Sequence, residues 1–125
     1  MTKGYVGWLL PDSERTRLLD LFPALFENVV AHHCTLKFGV DETYPLPEQT
    51  QAVVVGEAVD PTGVQALVLR VGGTTQREGG GIYHITWSLA PGRKPVESNK
   101  VIEKLGWRPV GPDTIMLVPQ FFPLK

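Results

Sequence analysis

The chain has 125 residues, 42% hydrophobic and 20% charged, with a formal net charge of −1. That length suits a single domain, 1–125, able to bury about two-thirds of its unfolded surface. The charge disfavours a grip on a long nucleic-acid tract, where Lys and Arg against phosphate supply most of the affinity. Its apolar runs are too short to span a bilayer, and its lone cysteine, Cys34, cannot form an internal disulfide. With no signal-peptide pattern at the start, the expectation is a cytoplasmic protein with no membrane partner.

In chain order, residues 5–10 form an apolar run ended by Pro11, which predicts the first strand. Asp12 and Ser13 offer helix N-caps, and Leu18, Leu21, Phe22 and Leu25 recur at spacings of three and four, marking one helical face. Pro23 should kink or end that helix, with Asn28 a further stop. After Val29-Val30-Ala31 a strand runs through His33 to Gly39, then a proline-bearing loop from Val40 to Gln51. Residues 52–59 and 64–71 read as a hairpin closed by Asp60-Pro61-Thr62-Gly63. The glycine-rich stretch 72–81 lacks the Gly-Lys-Ser/Thr ending of a P-loop and leads into a strand, so it reads as a flexible rim. A strand over 82–89 is followed by a short helix, capped at Ser98 or Asn99, using Val101, Ile102 and Leu105, and stopped by Gly106. Residues 114–118 form the last strand. The order β-α-β-β-β-β-α-β predicts an α+β fold, a mostly antiparallel sheet with two helices.

Within this pattern the same short motif occurs twice, as His33-Cys34-Thr35-Leu36 and His84-Ile85-Thr86-Trp87. Alternation along a strand puts His33 and Thr35 on one face, and likewise His84 and Thr86. Side by side, the two strands would bring two imidazoles and two hydroxyls into one groove. One neutral imidazole can take a proton from an attacking oxygen while the other protonates the leaving oxygen. The hydroxyls can stabilise charge developing on phosphate oxygens. This set matches phosphodiester cleavage with no metal and no other cofactor. A zinc site from His33, His84 and Cys34, or a Cys34 nucleophile, is the alternative chemistry, and alternation turns Cys34 away from His33. The same parity argument puts His32 opposite His33.

The stretch His33-Cys34-Thr35-Leu36-Lys37-Phe38-Gly39 resembles the first motif of the two-histidine (2H) phosphoesterase superfamily, which includes LigT-like RNA cyclic phosphodiesterases, and His84-Ile85-Thr86-Trp87 resembles its second. The resemblance implies a bilobal fold around a central cleft. It also implies metal-independent cleavage of 2′,3′-cyclic phosphates or related diesters, with His33 and His84 as acid and base and Thr35 and Thr86 on the phosphate. The chain departs from LigT-like members in having no predicted helix between the motifs, so it resembles a minimal member of the superfamily.

Further candidates for substrate binding are Tyr5, to stack on a base, and Lys37, on the face of Thr35, to meet a second phosphate. Ser98 and Lys100 belong to a polar cluster with Arg93, Lys94 and Asn99, and Ser88 continues the parity of Thr86. The partner expected is a nucleotide or an RNA terminus bearing a phosphodiester. Cyclic oligonucleotide messengers, a target of some small phage members of the superfamily, are a second substrate class. A non-catalytic nucleotide or RNA-end binding module is the rival outside the enzymes.

Overall fold

A computed structural model describes residues 2–124. The elements are β1 (Lys3–Leu9), α1 (Asp12–Leu21), β2 (Asn28–Val29), β3 (His33–Asp41), β4 (Gln51–Asp60), β5 (Val64–Arg70), β6 (His84–Leu89), α2 (Glu97–Leu105), β7 (Arg108–Met116) and β8 (Val118–Pro123). The strands form one sheet in the order β7-β4-β5-β6-β3-β1-β8, with β2 also paired to β6, and every pairing is antiparallel. The α+β class and the two helices are therefore as expected.

The sheet is not uniformly joined. β4 and β5 match along most of their lengths, whereas β3 meets β6 at the single register pair Cys34↔Ile85. Two wings, β7-β4-β5-β6 and β3-β1-β8, thus diverge from one seam.

Each face of the sheet has its own core. On one face Trp8, Leu18, Cys34, Leu67, Leu69, Ile85 and Trp87 pack together with part of α1. On the other, Val64, Ala66 and Val68 of β5 meet Val101 and Ile102 of α2. The alternation of Leu67 and Leu69 with Ala66 and Val68 shows why β5 is buried on both sides. α2 packs against β4 and β5, leaving the seam on this face for a cleft.

Several expectations need correction. α1 stops at Leu21, and Leu21 and Leu25 are exposed, so only Leu18 of the anticipated face is fully buried. Pro23 is the reason: it disfavours helical geometry at the residue before it, and Phe22 leaves the helix at φ −127°, ψ 82°. The Trp87 indole N–H then donates to the Phe22 carbonyl at 2.7 Å, fixing the exit. Neither Asp12 nor Ser13 caps α1; Pro11 takes the N-cap position without a side-chain bond. α2 likewise begins at Glu97 with Val96 as N-cap, so neither Ser98 nor Asn99 caps it.

The C-terminal region holds two strands, β7 and β8, where only residues 114–118 were predicted. Pro109, Pro112, Pro119 and Pro123 all lie within these strands, and β7 and β8 are the two edges of the sheet, where a missing N–H can face outward. The strand expected after Ala31 is β3, which runs two residues past Gly39 to Asp41. Ala31 is left-handed at φ 42°, separating β2 from β3.

Candidate active site

The interruption at Ala31 sets the geometry of the first motif. The Ala31 N–H donates to the Thr86 carbonyl at 3.0 Å and the Val30 N–H to the Trp87 carbonyl at 2.9 Å. Three residues later the register has moved, so that Cys34 stands opposite Ile85. Extending that antiparallel register by one residue each way sets His33 across from Thr86 and Thr35 across from His84. Each histidine is thus diagonal to its counterpart across the seam. On the other side β1 presses close. A Cβ at Gly7 would run into the Cys34 carbonyl and lie 2.9 Å from the Thr35 Cα, so only glycine lets β1 approach β3 there.

A cavity of about 620 Å³ opens at the seam. His33, Thr35 and Lys37 line it from β3, His84 and Thr86 from β6, and Tyr5 from β1. The structure therefore brings six of the eight sequence-nominated residues to one cavity. The other two lie elsewhere. Ser98 is fully buried, its hydroxyl 2.8 Å from that of Thr86. Lys100 is exposed on α2 and lines neither this cavity nor its neighbour. Arg93 is occupied by Glu97, Thr62 and Asp60, at 2.9, 2.9 and 3.4 Å.

Ser88 leaves the motif face. Gln65 pairs with Ser88 but Ala66 with Thr86, a bulge that turns the serine over. Its hydroxyl donates to Gln65 Oε1 at 2.6 Å instead.

His84 is held by its own strand. Its Nδ1 lies 2.7 Å from the Ile82 carbonyl oxygen. A carbonyl only accepts, so Nδ1 carries the proton and the neutral ring keeps a lone pair on Nε2. Burial lowers its pKa, with the Arg77 charge acting the same way and the Ile82 bond opposing both.

His33 sits among rings. Tyr5, Phe122 and His32 each have their centroid 5.2 Å from that of His33. Burial in this aromatic surround, then the neighbouring His32 and His84, brings its pKa down to about 4. His32 was placed by parity on the opposite face. The turn at Ala31 breaks that parity, and the two Nδ1 atoms stand 3.0 Å apart.

The threonines also differ. Thr86 Oγ1 is 3.3 Å from the Pro95 carbonyl oxygen as well as bonded to Ser98, whereas the Thr35 side chain faces the cavity. Tyr5 is half-buried and stacks on Phe122, with centroids 4.9 Å apart, and on Phe38, at 5.8 Å. Phe38 itself is 65% exposed and lines the cavity beside Tyr5.

Cys34 is wholly buried, turned into the core away from His33, and burial pushes its thiol up to about 12. That removes it as a nucleophile at neutral pH. Among the described residues no three His, Cys, Asp or Glu side chains gather as a metal cluster, and no helix is long and apolar enough to cross a membrane.

Two further residues line the same cavity: Asn99, of the polar cluster named above, and Arg77, which the sequence pattern did not single out. Arg77 comes from the glycine-rich loop, its Nε donating to the Gly80 carbonyl at 3.0 Å and its Nη2 to Asn99 Oδ1 at 3.4 Å. Its loop position carried no periodic signal. Comparison with protein-family models, curated proteins and solved structures finds no match to this chain.

Proposed function

We propose that this protein is a metal-independent phosphodiesterase of the two-histidine type, acting on 2′,3′-cyclic phosphate RNA ends or small cyclic nucleotides. The observation that carries the reading is the convergence of both His-x-Thr motifs on one cavity at the seam of the sheet. His84 is the base: its Nε2 takes a proton from water as the water oxygen bonds to phosphorus. The bond from phosphorus to one ribose oxygen breaks, and that oxygen receives a proton from His33. Both rings are neutral near pH 7 in the free protein, so His33 gains its proton as the phosphodiester arrives, because an adjacent anion raises an imidazole pKa. Thr35 donates to a non-bridging oxygen, and Lys37 and Arg77 balance the charge around it.

Incubation in EDTA with 2′,3′-cyclic nucleotides, RNA carrying a cyclic phosphate end, and cyclic di- and trinucleotides tests the reading. The expected result is turnover by the wild type that both His33→Ala and His84→Ala lose. Tight binding without turnover would indicate a sequestering module, and loss of activity in chelator would overturn metal independence.

A further inference from the structure

A second cavity, of about 690 Å³, adjoins the first and shares Arg77, Gly80, His84 and Asn99 with it. Its other walls have a different chemistry. Ile82, Ile102 and Trp107 supply apolar surface, and Gln76 supplies an amide. Trp107 is 37% exposed, while one side of its indole is pressed against Gly56, where any Cβ would collide with the ring. Among the described residues lining this cavity the only Lys or Arg is Arg77, which sits in the shared part, and Glu103 adds a carboxylate. Such a wall suits a neutral, flat, hydrogen-bonding group and disfavours a second phosphate.

We propose that this cavity is a second nucleoside subsite, so that the preferred substrate carries at least two linked nucleosides, one on each side of His84. The inference rests on the phosphodiesterase reading and narrows it. The reacting phosphate lies between the motifs, with one base over Phe38 and Tyr5. The chain then passes Arg77, and the next base packs on Trp107 with its edge toward Gln76 and Asn99. An upstream RNA nucleoside and the second unit of a cyclic oligonucleotide both present this chemistry.

The test compares kcat/KM for 2′,3′-cyclic AMP, a linear adenylyl dinucleotide ending in a 2′,3′-cyclic phosphate, and cyclic di-AMP. One base stacked on an aromatic side chain should favour a dinucleotide by about 10- to 100-fold. Trp107→Ala should erase that preference while leaving the mononucleotide rate in place, and Trp107→Phe should restore most of it. Which dinucleotide is favoured identifies the source of the second nucleoside. Binding is read separately in His33→Ala, where dinucleotide should quench the exposed Trp107, because Trp8 and Trp87 are buried. Quenching without turnover by the wild type upholds the subsite and sinks the phosphodiesterase reading. Turnover with equal kcat/KM for mono- and dinucleotide overturns the subsite and leaves that reading standing. An equal loss on both substrates in Trp107→Ala, with no rescue by Phe, also overturns it.

Discussion

His84 and Thr86 are tied to their own wing of the sheet, the ring to the Ile82 carbonyl and the hydroxyl to Ser98 and Pro95. His33 and Thr35 carry the same three-residue pattern on the other wing and are held differently. The His33 ring is lodged among Tyr5, Phe122 and His32, and the Thr35 hydroxyl faces the cavity. Identical motifs thus supply one histidine whose tautomer is set by a backbone acceptor and one whose titration is set by its surroundings. An acid–base pair needs such a difference, since two rings in identical settings would compete for one proton.

The largest effect should come from the rings themselves. His33→Ala and His84→Ala should each lower kcat by about 10²- to 10⁴-fold with little change in fold, as measured by single-turnover kinetics and circular dichroism. Equal activity in either variant would break the pairing. Next, the threonines should separate. Thr35→Val should cost about 10- to 100-fold in kcat with unchanged stability, since in the proposed mechanism its hydroxyl donates to the phosphate. Thr86→Val should instead lower stability by about 1 kcal/mol, because it strips a buried partner from Ser98, as read from denaturant midpoints. A reversed pattern would mean that the roles of the two wings are exchanged.

Gly7→Ala tests the first wing alone. Its Cβ meets backbone at Cys34 and Thr35, which cannot swing aside, so it should destabilise by about 1–3 kcal/mol and weaken turnover together. The pH dependence of stability gives a smaller effect. His33 titrates at about 4 when folded and near 6.5 when free, so between those values the unfolded chain binds the extra proton. Stability should therefore be full above pH 6.5 and fall as pH drops toward 4. The loss should be about 1–2 kcal/mol after allowing for the solvent that reaches the ring, with His84 acting in the same direction. Smallest of all, His32→Asn should raise the His33 titration seen by NMR, because it removes a neighbouring positive charge.

The parts of this account legible in the chain are those fixed by local alternation. His33, Thr35 and Lys37 share a face, as do His84 and Thr86, and the hairpin of β4 and β5 lies close to its predicted bounds. What escaped were departures from alternation. The left-handed Ala31 and the bulge after Thr86 each reverse parity, and so misplace His32 and Ser88. No residue type marks either break, because alanine and tryptophan are ordinary strand or core residues. The prolines of β7 and β8 hid two strands, since edge position is a property of the whole sheet. Ser98 was nominated as a cap or anion contact, yet its partner is Thr86, twelve positions earlier, across a fold that the sequence does not display.

The most direct test of the paired-histidine account is the pH profile of kcat/KM, measured in EDTA on the best substrate of the screen. The lowered pKa of both rings predicts a bell whose maximum lies on the acid side of 6.5, and which collapses when either histidine is replaced. A profile that is flat through this range, or a bell that survives the loss of His33 or His84, would contradict it.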